Sequence, residues 1–134
     1  MISIKTSETN KDKIATFATK LGLVRNDNIV ARLAFSYSIS KGRKLSLVKD
    51  LKDSKGKEYK EDTLLGERKN FYLAVICQFY EIHKSSPDIF KYLKMHIDDG
   101  LEQMDVFFES NPNLDAFDFI IQNIERGIES IEQT

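Results

Sequence analysis

Apolar side chains recur along most of the chain at intervals of three and four residues, which is the spacing of one face of an α-helix. In the first half this spacing is clear for Ile14, Phe17 and Leu21. Clusters of turn residues separate the periodic segments. The pattern predicts helices over Glu8 to Leu21, Asp27 to Ser40, Leu65 to His83, Pro87 to Phe108 and Leu114 to Ile131.

A short strand is predicted ahead of these helices, because Ile2 and Ile4 alternate with the polar Ser3 and Lys5. Strand, helix, polar turn and helix is the element order of a ribbon-helix-helix unit. We therefore predict a mostly α fold, in which a ribbon-helix-helix-like unit of one short strand and two helices is followed by about three further helices.

The predicted strand also has a consequence for assembly. A lone short strand leaves backbone N–H and C=O groups without partners. Two copies of the chain solve this problem when their strands pair as an antiparallel ribbon. We therefore expect a dimer or a higher, even-numbered homo-oligomer.

The length of 134 residues favours one domain with a real core. We divide it into a ribbon-helix-helix-like part (1–40), a basic connection (41–62) and a helical part (63–134). Cys77 is the only cysteine, so no intramolecular disulfide forms. No secretory signal opens the chain, and no apolar run approaches the ~20 residues that span a bilayer. A cytoplasmic protein with no membrane segment is expected.

The formal charge of −1 hides a strong asymmetry between the two halves of the chain. Residues 1–70 carry 16 Lys and Arg against 9 Asp and Glu, a net charge of +7. Residues 71–134 carry 4 against 12, a net charge of −8. Such a division steers a polyanion toward one side of the molecule. The basic half is therefore the place to look for a nucleic-acid contact.

Positive charge is densest between residues 41 and 60, which contain eight Lys and Arg but only three Asp and Glu. Lysine and arginine bind the phosphate backbone without reading base sequence. The polar face of the strand and the start of the second helix add further candidates. The candidate DNA-binding residues are Lys5, Arg25, Asn26, Lys41, Arg43, Lys44, Lys52, Lys55 and Lys57.

Material for catalysis or metal binding is sparse. Neither His83 nor His96 has a second strong ligand at helical spacing, and Cys77 lies among apolar residues where a thiol is inert packing. Asp98 and Asp99 are expected on a solvated acidic face or on a docking surface for a basic partner. We predict no catalytic site, no metal and no cofactor.

Several segments together resemble a known family. They are Glu-Asp-Thr-Leu-Leu-Gly-Glu at 61–67, Phe-Tyr-Leu-Ala at 71–74, His-Ile-Asp-Asp-Gly-Leu at 96–101, Leu-Gly-Leu at 21–23 and Ala-Arg-Leu-Ala at 31–34. Over roughly residues 2 to 108 the chain is similar to the DNA sulfur modification protein DndE family. The Thr-Leu-Leu-Gly-Glu stretch is the most specific part of this similarity.

The resemblance implies a DNA-binding accessory subunit of the machinery that replaces a non-bridging phosphate oxygen of DNA with sulfur. Other subunits of that complex would supply the chemistry: a cysteine desulfurase or equivalent, an iron-sulfur protein, a PAPS-reductase-like protein and a coiled-coil ATPase. The resemblance also implies that this chain is not itself an enzyme.

Two alternatives stay open at this point. A ribbon-helix-helix transcription regulator would use the same fold to recognise an operator, although Ser3, Lys5 and Ser7 offer none of the side chains that commonly read bases. A scaffold subunit of the modification complex would never contact DNA.

Overall fold

A computed structural model describes residues 3–113, 115, 118–123 and 125. Within these residues two short strands are joined to five assigned helices. The strands are β1 (Ser3–Lys5) and β2 (Glu58–Lys60). The helices are α1 (Lys11–Lys20), α2 (Asp27–Ser40), α3 (Glu61–Leu65), α4 (Lys69–Tyr80) and α5 (Ile89–Ser110), with short 3-10 turns at Glu8–Asn10 and Gly66–Arg68. The mostly α fold predicted from the periodicity is confirmed.

The core is built around the contact between α2 and α5. A Cβ atom placed on Gly100 would lie 1.8 Å from the carbonyl oxygen of Ala34, so the two helices touch backbone to backbone at this point. Large apolar side chains fill the space around the crossing. The fully buried ones include Val30, Leu64, Ile76, Leu93, Ile97, Leu101 and Met104.

The first strand has a partner within its own chain. β1 pairs antiparallel with β2, with Ile4 opposite Tyr59 and Lys5 opposite Glu58. Ile4 and Tyr59 are buried, whereas Lys5 and Glu58 are exposed. The expectation that β1 needs a second copy of the chain is therefore wrong, because a strand inside the basic connection supplies the missing hydrogen bonds. The unpaired strand therefore no longer supports the prediction of an even-numbered oligomer.

The two helices after β1 lie close to their predicted positions. α2 has the predicted bounds, and α1 is preceded by the 3-10 turn at Glu8–Asn10. α5 begins two residues later than the predicted Pro87, because Asp88 is its N-cap. Periodicity and turn residues were therefore sufficient to place these helices.

α4 differs from its prediction in length and burial. It begins at Lys69 and ends at Tyr80, where Glu81 adopts a left-handed conformation with φ 55°. Ile76 is its one buried residue, and the side chain of Phe71 is 66% exposed. The broad apolar face of the sequence over Leu65 to His83 predicts a largely buried helix, and this prediction is wrong, because only one side of α4 packs on the rest of the protein.

Most of the predicted closing helix, Leu114 to Ile131, lies outside the described residues. Residues 118–123 are helical. Phe119 is buried and packs its ring against Tyr37 and Phe108, with centroid distances of 5.1 and 5.4 Å. This segment is therefore attached to α2 and α5.

Candidate nucleic-acid interface

The connection from α2 to β2 carries most of the predicted DNA-binding side chains. Three of its cations form ion pairs with carboxylates of the helices. Arg43 pairs with Asp99 and Lys52 with Glu102, both on α5. Lys57 pairs with Asp27 at the start of α2. We call Arg43, Lys52 and Lys57 the paired cations, because part of their charge is already compensated.

The other predicted cations are available to solvent. Their side chains are exposed, and within the described residues none of them forms an ion pair. Lys41 lies over the ring of Tyr37, with its Nζ 4.4 Å from the ring centroid. We call this group the unpaired cations: Lys5, Arg25, Lys41, Lys44 and Lys55.

The start of α2, which the sequence predicts as a phosphate contact, is poorly suited to bind an anion. Asn26 is the N-cap, but its side chain makes no capping hydrogen bond; its carbonyl oxygen accepts the Ile29 N–H at 3.0 Å. Arg25 has a positive φ of 72°. Asp27 occupies the first turn and holds Lys57, so a phosphate here would meet a carboxylate.

Asp53 holds the middle of the basic connection against the N-terminal segment. Its carboxylate accepts the Glu8 N–H at 3.0 Å, the Lys55 N–H at 3.1 Å and the Ser7 hydroxyl at 3.1 Å. These hydrogen bonds, the backbone ones foremost, lower the pKa of Asp53. Ser7 is buried, so of the three polar residues Ser3, Lys5 and Ser7 only Ser3 and Lys5 are exposed.

Asp98 is buried, contrary to the expectation of a solvated acidic face. Only 2% of its surface is exposed. It accepts hydrogen bonds from the Ser7 N–H at 3.0 Å, Asn10 Nδ2 at 2.8 Å and Lys94 Nζ at 2.8 Å. A buried carboxylate persists only when it is paired and hydrogen-bonded in this way. The sequence signal that was missed is Lys94, one helical turn before Asp98.

Asp99 is also largely withdrawn from solvent, with 12% of its side chain exposed. Besides its ion pair with Arg43, it accepts the hydroxyl of Ser38 at 2.6 Å. Ser38 is a residue that the sequence did not single out. Its signal is a polar side chain one turn after Ala34, on the apolar stripe of α2.

Arg32 joins two of the segments that carry the family resemblance. Its guanidinium donates to the carbonyl oxygens of Thr63, at 3.2 Å, and of Leu64. Gly66 then ends α3 with φ 61° and ψ −148°, a conformation that is nearly restricted to glycine. This arginine therefore caps a short helix, and its charge lies at the C-terminal end where a cation is stabilising.

Two kinds of feature are absent from the described part of the chain. Residues 3–113 with the helical segment 118–123 contain no cluster of three or more metal-ligating side chains. No described helix combines the length and the apolar character needed to cross a bilayer.

The fold and the surface together define a small, mostly helical protein whose α2 to β2 connection presents positive charge. The family model described as DNA sulphur modification protein DndE matches residues 3–112. The chain therefore belongs to the DndE family, and the similarity over about residues 2 to 108 is confirmed.

Solved structures agree with this assignment. The crystal structure of DndE from Escherichia coli B7A, involved in DNA phosphorothioation modification, matches with a TM-score of 0.60 and 23% sequence identity. The match covers 76% of this chain and 95% of that one. A DndE mutant, involved in DNA phosphorothioation, matches with the same TM-score and coverage and with 25% identity. Comparison with individually curated proteins finds no match.

Proposed function

We propose that this chain is a DNA-binding accessory subunit of DNA phosphorothioation, which contacts the phosphate backbone with little sequence specificity. Membership of the DndE family supports a role in DNA phosphorothioation. The unpaired cations support the DNA contact, because they are exposed positive charges without a carboxylate partner in the described residues. This second observation carries the proposal.

The contact is expected to depend on charge rather than on base reading. An exposed lysine that meets a phosphate releases condensed counterions, which raises affinity for any sequence. Lys44 and Lys55 are the best candidates within the connection. The paired cations would contribute less, since DNA must compete with Asp99, Glu102 and Asp27 for them.

A role without catalysis belongs to the same proposal. His96 is fully buried, and Cys77 is a half-buried residue of α4. Neither offers an accessible nucleophile beside a base. Sulfur transfer would then fall to other subunits of the modification complex, in the cytoplasm where DNA is modified.

Contact with those subunits, and between copies of the chain, stays a prediction. A groove of about 690 Å³ lies beside α4, and its lining combines the apolar Leu73, Ala74, Cys77 and Ile89 with the polar Asn70, Gln78 and Lys84. With Phe71 exposed nearby in sequence, this face is the best surface for a protein partner.

The proposal is tested by removing the two best candidates. Lys44→Ala with Lys55→Ala should weaken binding to a 30-base-pair duplex about tenfold at moderate salt, and equally for two unrelated sequences. The matched control is Lys84→Ala with Lys91→Ala, which removes the same charge from the acidic half. Affinities can be measured by fluorescence anisotropy.

Each alternative has its own outcome. Equal losses for both double variants would mean that only net charge matters. No binding by the unmodified protein would favour the scaffold subunit. A strong preference for one duplex sequence would favour the transcription regulator, which the pairing of β1 with β2 already makes less suitable as a ribbon reader.

A further inference from the structure

His96 lies at the centre of a buried hydrogen-bond chain that the proposed function has not used. The residue is wholly buried on α5, and both nitrogens of its ring are engaged. Nδ1 lies 2.7 Å from the hydroxyl oxygen of Ser38, and Nε2 lies 2.5 Å from that of Tyr80. The chain therefore links α2, α4 and α5.

The direction of each hydrogen bond follows from the groups at the two ends. Tyr80 accepts the Leu45 N–H at 2.9 Å, so its own proton is available to Nε2 of His96. A neutral ring then carries its proton on Nδ1 and donates it to Ser38. Ser38 in turn donates to Asp99, whose ionised carboxylate only accepts. Every donor has one acceptor.

Both ends of this chain meet the basic connection. Tyr80 holds the backbone N–H of Leu45, and Asp99 holds the guanidinium of Arg43. Lys44 lies between these two anchored residues, and its side chain is exposed.

We propose that the chain Tyr80, His96, Ser38 and Asp99 is a positioning device that fixes residues 43–45 and so presents Lys44 to the DNA backbone. This inference rests on the proposed function. Arg43 is then a structural anchor, although the sequence made it a candidate phosphate contact. Holding the backbone of a charged residue in place before binding lowers the conformational entropy lost in the complex.

Tyr80→Phe is the sharpest test, because it removes one hydroxyl and leaves a ring that can still stack on Tyr92 at a centroid distance of 3.8 Å. Hydrogen exchange at the Leu45 amide should accelerate about tenfold, while amides at the centre of α2 keep their rates. Tyr92→Phe is the matched control, since the Tyr92 hydroxyl has no hydrogen-bond partner among the described residues. It should leave the Leu45 amide unchanged.

A double-mutant cycle connects the anchor to DNA. Tyr80→Phe should weaken duplex binding about threefold on its own, and have no further effect in a Lys44→Ala background. A purely structural tyrosine would give additive losses, and additivity would overturn the positioning role. Unchanged exchange at Leu45 would overturn the anchor itself.

Failure of the proposed DNA-binding function can be told apart from failure of the anchor at Leu45. If the unmodified protein binds no duplex, both the DNA role and the presentation of Lys44 are overturned. The exchange rate of the Leu45 amide still decides separately whether the chain anchors the segment.

Discussion

At the scale of single residues, the segments that carry the family resemblance build the scaffold. In the stretch 96–101, Asp98 holds the N-terminal segment, Asp99 holds Ser38 and Arg43, and Gly100 lets two helices touch. In the stretch 61–67, Gly66 ends α3. These four residue types are thus explained by hydrogen bonding and backbone geometry, whereas the candidate DNA contacts all lie outside these two stretches.

The buried His96 makes stability depend on pH. Burial is the main cause that lowers the pKa of His96 to about 4, against about 6.5 in an unfolded chain, while Asp99 opposes this shift and Arg43 adds to it. Between these values the unfolded state binds a proton that the folded state does not. The free energy of unfolding should therefore fall by about 2 kcal/mol from pH 7 to pH 5.

Urea unfolding at pH 7, 6 and 5 measures this fall. His96→Asn should be less stable at pH 7 but should lose most of the pH dependence. Should that variant fail to fold, the ring signals of His96 in the unmodified protein can be followed by NMR. The prediction is wrong if stability is constant over this range and those signals change with a midpoint near 6.5.

At the scale of elements, local pattern placed α1, α2 and α5, but it did not predict their neighbours. The strand period of Ile2 to Lys5 was readable, yet its partner β2 lies more than 50 residues away, in a segment dominated by lysine. For α4, the pattern showed apolar residues but not which of them another element would cover. Long-range pairing is a tertiary property that periodicity does not encode.

The crossing of α2 and α5 gives a prediction of unusual sign. Replacing glycine with alanine inside a helix ordinarily stabilises it by about 1 kcal/mol. Gly100→Ala should instead destabilise the protein by about 3 kcal/mol, because the new methyl group would overlap the carbonyl of Ala34. Thermal and urea unfolding measure the change.

Ser36→Ala, at an exposed position of α2, is the control for this substitution. It should change the free energy of unfolding by less than about 0.5 kcal/mol. A Gly100→Ala protein as stable as the unmodified one would show that the helices do not approach so closely.

At the scale of the whole molecule, the charge asymmetry survives folding only in part. The sequence located the basic connection, but it could not show that carboxylates of α2 and α5 would engage Arg43, Lys52 and Lys57. Ion pairs between residues far apart in sequence depend on the fold. The division into parts at residues 40 and 62 stays a prediction, and the second boundary falls inside α3.

The salt dependence of DNA binding is the measurement that tests the proposed role most directly. With the five unpaired cations each meeting one phosphate, log K should fall with log[salt] at a slope of about −4.5, and the slope should be the same for unrelated duplex sequences. Removing Lys44 and Lys55 should bring it to about −2.7. Binding that is insensitive to salt, or a slope unchanged in this double variant, would show that these lysines do not hold the DNA backbone.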